Sequence, residues 1–214
     1  KLLFNYSLAP QNVIVRMDSG VNKISELTGK RFGPGMRGSS TEATSEAVFK
    51  LFGVKPDYIR GSNAELAAAI KDNRSIGFVK SAVGVRFDAL TLDISTFTPL
   101  KVLGLSQEQV SSIRTNLPEL SIIKMPGGEQ ENTGPYETWG FMIGVSAKPG
   151  MSDDLAYKIV KAAMEDKEIQ AAAFPQIKGQ DLAQLTLDYA TSPLHPGAVK
   201  YFEEAGYTVP ENLR

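Results

Sequence analysis

The segment Gly29-Lys30-Arg31-Phe32-Gly33-Pro34-Gly35-Met36-Arg37-Gly38-Ser39-Ser40-Thr41 constrains this chain more than any other. It reads as a short strand, a glycine turn and a helix start rich in hydroxyls. The helix is predicted from Thr41 to Phe52, with Ala43, Ala47, Val48, Leu51 and Phe52 on one face and Gly53 as its stop. A strand that passes through glycines into a helix is the repeating step of an α/β fold. At such a start the first N–H groups have no intrahelical partner, and the helix dipole favours negative charge. Ser39, Ser40 and Thr41 therefore mark either an ordinary N-cap or an anion site.

The same residues carry a rival pattern. Gly33, Gly35 and Gly38 satisfy G-x-G-x-x-G, and Asp57 follows at about the distance a dinucleotide site needs. Against it, the preceding strand is only Arg31-Phe32, and Asp57 opens the run Asp57-Tyr58-Ile59-Arg60 where an acidic residue should close it. Nor is this a phosphate-binding P-loop, because Gly38 and not a lysine precedes Ser39. A nucleotide-dependent oxidoreductase built on this loop stands as the alternative function.

Composition narrows the remaining classes. A chain of 214 residues can bury a core as one large domain or two small lobes. Its net charge of −1, with lysines and arginines scattered, argues against nucleic acid as partner. No apolar run is long enough to span a bilayer as a helix. The absence of cysteine removes disulfides, thiolate catalysis and cysteine metal ligands. The single histidine, His195, removes multi-histidine zinc sites and sits between residues that suit helix capping or packing. No paired acid and base and no nucleophile motif is evident, so neither enzymatic activity, metal nor cofactor is expected. Glu129, Glu131 and Glu137 read as solvated loop carboxylates.

Along the chain, strands are predicted at Val13–Arg16, Asp57–Arg60, Ile76–Val79, Leu100–Leu103 and Leu120–Ile123, with Trp139–Val145 the longest. Helices are predicted at Lys23–Leu27, Ala64–Asp72 (capped by Asn63), Gly84–Leu90 and from Ser106 as cap through Arg114. Pro126–Tyr136 has no periodicity and reads as a loop. Beyond Pro149 the pattern is helical: Asp153–Glu165, Glu168–Phe174, Asp181–Tyr189 and Gly197–Ala205. Strands alternating with helices imply a parallel sheet in the middle of the chain. The terminal helices have few strands of their own to cover. The chain also opens directly on apolar Leu2-Leu3-Phe4 without a signal peptide, as a truncated or processed chain does. If it only scaffolds or self-associates, apolar surface should lie exposed near Lys1–Leu8.

Val13-Ile14-Val15-Arg16 leading through Asp18-Ser19-Gly20-Val21 to Leu27-Thr28-Gly29-Lys30-Arg31-Phe32 resembles the hinge and second-lobe entry of type II periplasmic binding proteins. The Gly33–Thr41 loop, paired with Pro193-Leu194-His195-Pro196-Gly197-Ala198 and Tyr201-Phe202-Glu203-Glu204-Ala205-Gly206, resembles the TAXI family (TRAP-associated extracytoplasmic immunogenic proteins). Its members are the solute receptors of TRAP transporters. The resemblance implies an α/β, type II periplasmic-binding-protein-like fold with two lobes joined by hinge strands and the first lobe incomplete. It divides the chain into residues 1–29 (first-lobe remnant and hinge), 30–137 (second lobe) and 138–214 (return hinge strand and first-lobe helices). It further implies a periplasmic or extracytoplasmic receptor, monomeric at full length, that binds glutamate, glutamine or a related organic acid and works with TRAP membrane subunits.

The same resemblance nominates ligand-binding residues. Ser39, Ser40 and Thr41, with Gly38, match the family's helix start, except that Ser39-Ser40 stands where Ser-Gly is usual. Arg37 can add a charge-assisted bond to a carboxylate. Lys80 and Ser81 follow a buried strand at its carboxyl end, where open α/β sheets place ligands. Tyr136 offers an aromatic wall with a polar tip before the return strand. Trp139 is assigned to the core.

Overall fold

The computed structural model describes residues 1–82, 87–129, 131–166, 168–174 and 177–214. The protein is mixed α/β and divides into two compact units, Lys1–Leu8 with Phe141–Arg214, and Ala9–Gly140. Both divisions fall inside strands: β1 runs Leu2–Arg16 and β7 runs Tyr136–Ser146.

In the Ala9–Gly140 unit, β1 is the organising strand. It pairs antiparallel with β4 (Gly77–Ser81), from Gln11 opposite Ser81 to Val15 opposite Gly77. It also pairs antiparallel with β5 (Leu100–Leu103), from Val13 opposite Leu103 to Arg16 opposite Leu100. β6 (Ser121–Met125) pairs antiparallel with β7, which neighbours β1. Among the described residues of this unit, the parallel arrangement expected from the sequence is seen at the edge. There β2 (Arg31–Phe32) pairs with β3 (Asp57–Tyr58), and Gly33 bridges to Phe78 of β4. The difference has one cause: β1 enters between β4 and β5 running opposite to both.

The length of β1 is the second departure from expectation. At 15 residues it exceeds the 11 of β7, yet only Val13–Arg16 shows in the sequence. Asn5, Ser7, Gln11 and Asn12 interrupt its apolar pattern, and all four are buried. A strand covered on both faces does not alternate, and these polar residues hide it further.

Local chemistry accounts for the helices of this unit. α1 (Ser40–Leu51) starts at the cap residue Ser39, whose Oγ accepts the Glu42 N–H. α2 (Asn63–Lys71) is capped by Ser62, not by Asn63 as expected, through a capping box with Glu65. The box satisfies two donors reciprocally, which a lone Asn63 cannot match. α3 (Ala89–Ser95) is capped by Asp88. The helix start predicted at Gly84 lies outside the described residues. α4 (Gln107–Asn116) takes Ser106 as its cap, as the sequence indicates. Phe32, Phe49 and Trp139 meet edge to face in the core; Trp139 is fully buried, as expected.

The other unit packs α5 (Asp153–Glu165), α6 (Ile169–Ala173), α7 (Leu182–Tyr189) and α8 (Pro196–Glu204) with the remaining parts of β1 and β7. Leu2, Leu3 and Phe4 are buried in a cluster with Val160, Leu187, Leu194 and Phe202. The exposed apolar surface expected there for a scaffolding chain is therefore absent at these three residues. His195 caps α8: its Nδ1 accepts the Gly197 N–H at 3.2 Å, and Nε2 lies 3.2 Å from the Met151 carbonyl. Gly197 lets the start of α8 press against α5, since a Cβ there would sit 2.2 Å from the Asp153 carbonyl.

Candidate functional site

The sequence-nominated residues all belong to the Ala9–Gly140 unit. The parallel bridge from Gly33 to Phe78 fixes their relation. Gly33 N–H donates to Gly77 O at 3.0 Å and Val79 N–H to Gly33 O at 2.8 Å. β2 and β4 thus run alike, and the start of α1 and the Lys80-Ser81 end of β4 share one carboxyl edge. Ligands of α/β sheets bind at such edges.

The glycine loop is shaped by its own contacts. Gly35 has φ of +129°, and a Cβ there would lie 2.8 Å from both Glu42 N and Thr41 Cγ2. Arg37 is exposed and is held through its backbone, whose N–H donates to Gly61 O at 2.8 Å. Gly38 N–H donates to a Glu42 carboxylate oxygen at 2.6 Å. Arg60 pairs with Glu42 and, at 2.5 Å, with Glu46. The Gly38 hydrogen bond is the main cause that holds the Glu42 carboxyl below its ordinary value; burial opposes it and Arg60 reinforces it.

This geometry changes the reading of the loop. The Gly38 and Glu42 N–H groups are spent inside the protein. The Ser40 and Thr41 N–H groups remain at the first two helical positions, ahead of the ladder that opens with Ala43 N–H to Ser39 O. Ser40 is exposed and Thr41 buried. A pyrophosphate would meet the Glu42 carboxylate where a dinucleotide fold offers it a free glycine N–H. The dinucleotide alternative has a further fault: Asp57 does open β3.

Lys80 and Ser81 lie opposite Asn12 and Gln11 in the β1–β4 register. Lys80 is paired with Asp88 at 2.5 Å. Burial pushes the Asp88 carboxyl up, but hydrogen bonds from Lys80 and Thr91 outweigh it and leave it below its ordinary value. The Lys80 charge is therefore already compensated. Ser81 Oγ accepts from Gln11 Nε2 at 3.1 Å.

Tyr136 is buried, and its hydroxyl donates to Asn12 Oδ1 at 2.9 Å. Burial, with Glu131 nearby, raises its phenol well above the ordinary range, so the hydroxyl keeps its proton. On the same strand Thr138 Oγ1 donates to the Gln11 carbonyl at 2.5 Å.

The structure thus joins Ser81 and Tyr136 through two residues that sequence reasoning missed, Gln11 and Asn12. Gln11 is 0% exposed and Asn12 1%. The available signal was the polar pair Gln11-Asn12 set directly against the β-branched run Val13-Ile14-Val15.

A cavity of about 520 Å³ lies elsewhere, in the unit that holds the terminal helices. Its lining includes Met164, Glu165, Asp181, Tyr201 and Tyr207 and none of the nominated residues. Asp181 there accepts from Tyr207 at 2.7 Å and from the Gln184 N–H at 2.9 Å. Its volume suits a ligand, and of its polar groups Asp181 serves capping and packing. The nominated residues gather instead at the β1–β4–β7 cluster, which is taken as the candidate site.

Among solved structures, the periplasmic aliphatic sulphonate binding protein SsuA from Escherichia coli is similar at 13% identity and a TM-score of 0.43, covering 98% of this chain and 66% of that one. XAC2383 from Xanthomonas citri, bound to chloride ion, is similar at 15% identity and a TM-score of 0.38, covering 95% of this chain. This chain spans 66% of the length of each. A family model described as NMT1-like matches residues 2–206. The chain belongs to the NMT1-like family.

Proposed function

We propose that this chain is the solute-binding part of an extracytoplasmic receptor that holds a small carboxylate such as glutamate, glutamine or a related organic acid and serves a TRAP-type transporter. The reading is carried by the polar cluster of buried Gln11, Asn12 and Tyr136 with half-buried Ser81, at the sheet edge that also carries the start of α1. Buried polar groups are costly unless satisfied, so a cluster of them inside a sheet favours a binding role. The carboxylate is assigned to the Ser40 and Thr41 N–H groups and hydroxyls, with Arg37 beside them. Ser39 is the cap that orders this start. The TRAP class and the amino-acid or organic-acid ligand rest on the resemblance of the Gly33–Thr41 loop and the Pro193–Ala198 motif to TAXI receptors. Binding without chemical conversion fits a site whose one lysine is neutralised by Asp88 and whose one tyrosine is held protonated.

The test is thermal shift with amino acids, dicarboxylates and NAD(P), on the wild type and on the Ser40→Ala/Thr41→Ala double variant. A ligand of the native state raises the melting temperature by mass action, equivalent to about 2.7 kcal/mol at a hundred times Kd. Stabilisation by an amino or organic acid, reduced in the double variant, is expected. Stabilisation by NAD(P) alone, or equal stabilisation of both proteins, contradicts the assignment.

A further inference from the structure

Gln11 is the most telling side chain of the cluster. Its Nε2 donates to Ala9 O at 2.9 Å and to Ser81 Oγ at 3.1 Å. A backbone carbonyl only accepts, so the nitrogen faces Ala9 and the amide orientation is fixed. That leaves Oε1 as an acceptor on a residue that is 0% exposed, and among the described residues it has no hydrogen-bond partner. An acceptor buried without a donor is costly, whereas one matched by a charged donor gains a strong hydrogen bond.

Among the described residues, Tyr136, Thr138 and Lys80 do not supply the missing donor. Tyr136 OH is given to Asn12 Oδ1, and Thr138 Oγ1 to the Gln11 main-chain carbonyl. Lys80 is paired with Asp88. Gln11 Oε1 is therefore left to accept from an N–H or O–H outside these pairs, and a positively charged donor would give the strongest bond.

We propose that Gln11 is a specificity-determining residue that accepts a hydrogen bond from an ammonium group, so that the solute is an amino acid and not the corresponding plain organic acid. This rests on the solute-binding reading above. It divides that reading's ligand classes by a property neither the helix start nor the resemblance addresses. A carboxylate held at Ser40 and Thr41 is common to both classes; the ammonium is not.

The experiment is calorimetric titration of L-glutamate, 2-hydroxyglutarate and glutarate, and of L-alanine against propionate, into the wild type and Gln11→Met. Methionine keeps the length of glutamine and removes its acceptor together with the Nε2 donor to Ala9 O and Ser81 Oγ, so the ratio of affinities is read and not either affinity alone. The wild type should prefer an amine-bearing member over its amine-free partner by about tenfold or more, the worth of one charge-assisted hydrogen bond. In Gln11→Met that preference, read as the ratio of the two affinities, should collapse toward one. Glutarate or 2-hydroxyglutarate binding the wild type as tightly as glutamate overturns the role of Gln11 and leaves the solute-binding reading standing. Binding by neither series overturns both. The wild-type comparison decides the matter even if Gln11→Met fails to fold.

Discussion

At the scale of single residues, the polar groups of Asn12, Lys80 and Tyr136 are spent on described neighbours, while Gln11 Oε1 is not. Tyr136 is the clearest case. The sequence marks it as an aromatic wall, and the structure makes it the hydroxyl that holds Asn12 in a buried sheet. Tyr136→Phe should cost about 1 kcal/mol of stability in urea denaturation, the net worth of a buried hydrogen bond plus an acceptor left bare; no change would detach the hydroxyl from the fold. Glu42 gives a pH signature. Its folded pKa is lowered below the ordinary 4.5, so its contribution is present above about pH 4.5 and is lost as pH falls through the depressed value. Denaturation midpoints should drop across that acid window in the wild type and drop less in Glu42→Gln. Identical acid profiles would remove Glu42 from the account. Hydroxyls, glycines and the capping histidine were legible in the sequence because each leaves a local signature. Gln11 and Asn12 were not, because their partners Ser81 and Tyr136 lie 70 and 124 residues away.

At the scale of elements, caps and apolar periodicity locate α1, α2, α4, α5, α7 and α8 to within a residue or two. The helix expected to end at Leu90, by contrast, runs on to Ser95, and the one expected over Lys23–Leu27 is a 3-10 turn, Ile24–Leu27. α5 is found where the sequence places it, and Ser106 caps α4 as read. Strands are less legible. β1 is read as four residues and spans 15, since a strand buried along nearly its whole length carries no alternation. Direction is invisible for the same reason: helix–strand alternation suggests parallel pairing, and the antiparallel entry of β1 is a long-range fact. The tightest point of that pairing is Gly77, where a Cβ would sit 2.1 Å from the Ile14 carbonyl. Gly77→Ala should destabilise the protein by about 1–3 kcal/mol or more, by forcing β1 and β4 apart. A melting temperature within a degree of wild type would show that the register is looser than described. The same displacement would move Gln11 from Ser81, so solute binding should weaken in that variant as well.

At the scale of the whole molecule, one unit holds every residue nominated for binding, and the terminal helices form the core of the other. The α/β class follows from the sequence alone because strand and helix signals alternate over most of the chain. Family membership gives the chain its relatives, and the proposed site gives a task that can be tested. Titrating isotope-labelled protein with L-glutamate and following the backbone and side-chain amide resonances tests that task most directly. The account predicts that Ser40, Thr41 and Ser81 amides and the Gln11 side-chain NH2 shift together and saturably, with the α5–α8 amides little affected. Shifts confined to the residues around the Tyr201–Tyr207 cavity, or a spectrum that does not respond, would contradict it.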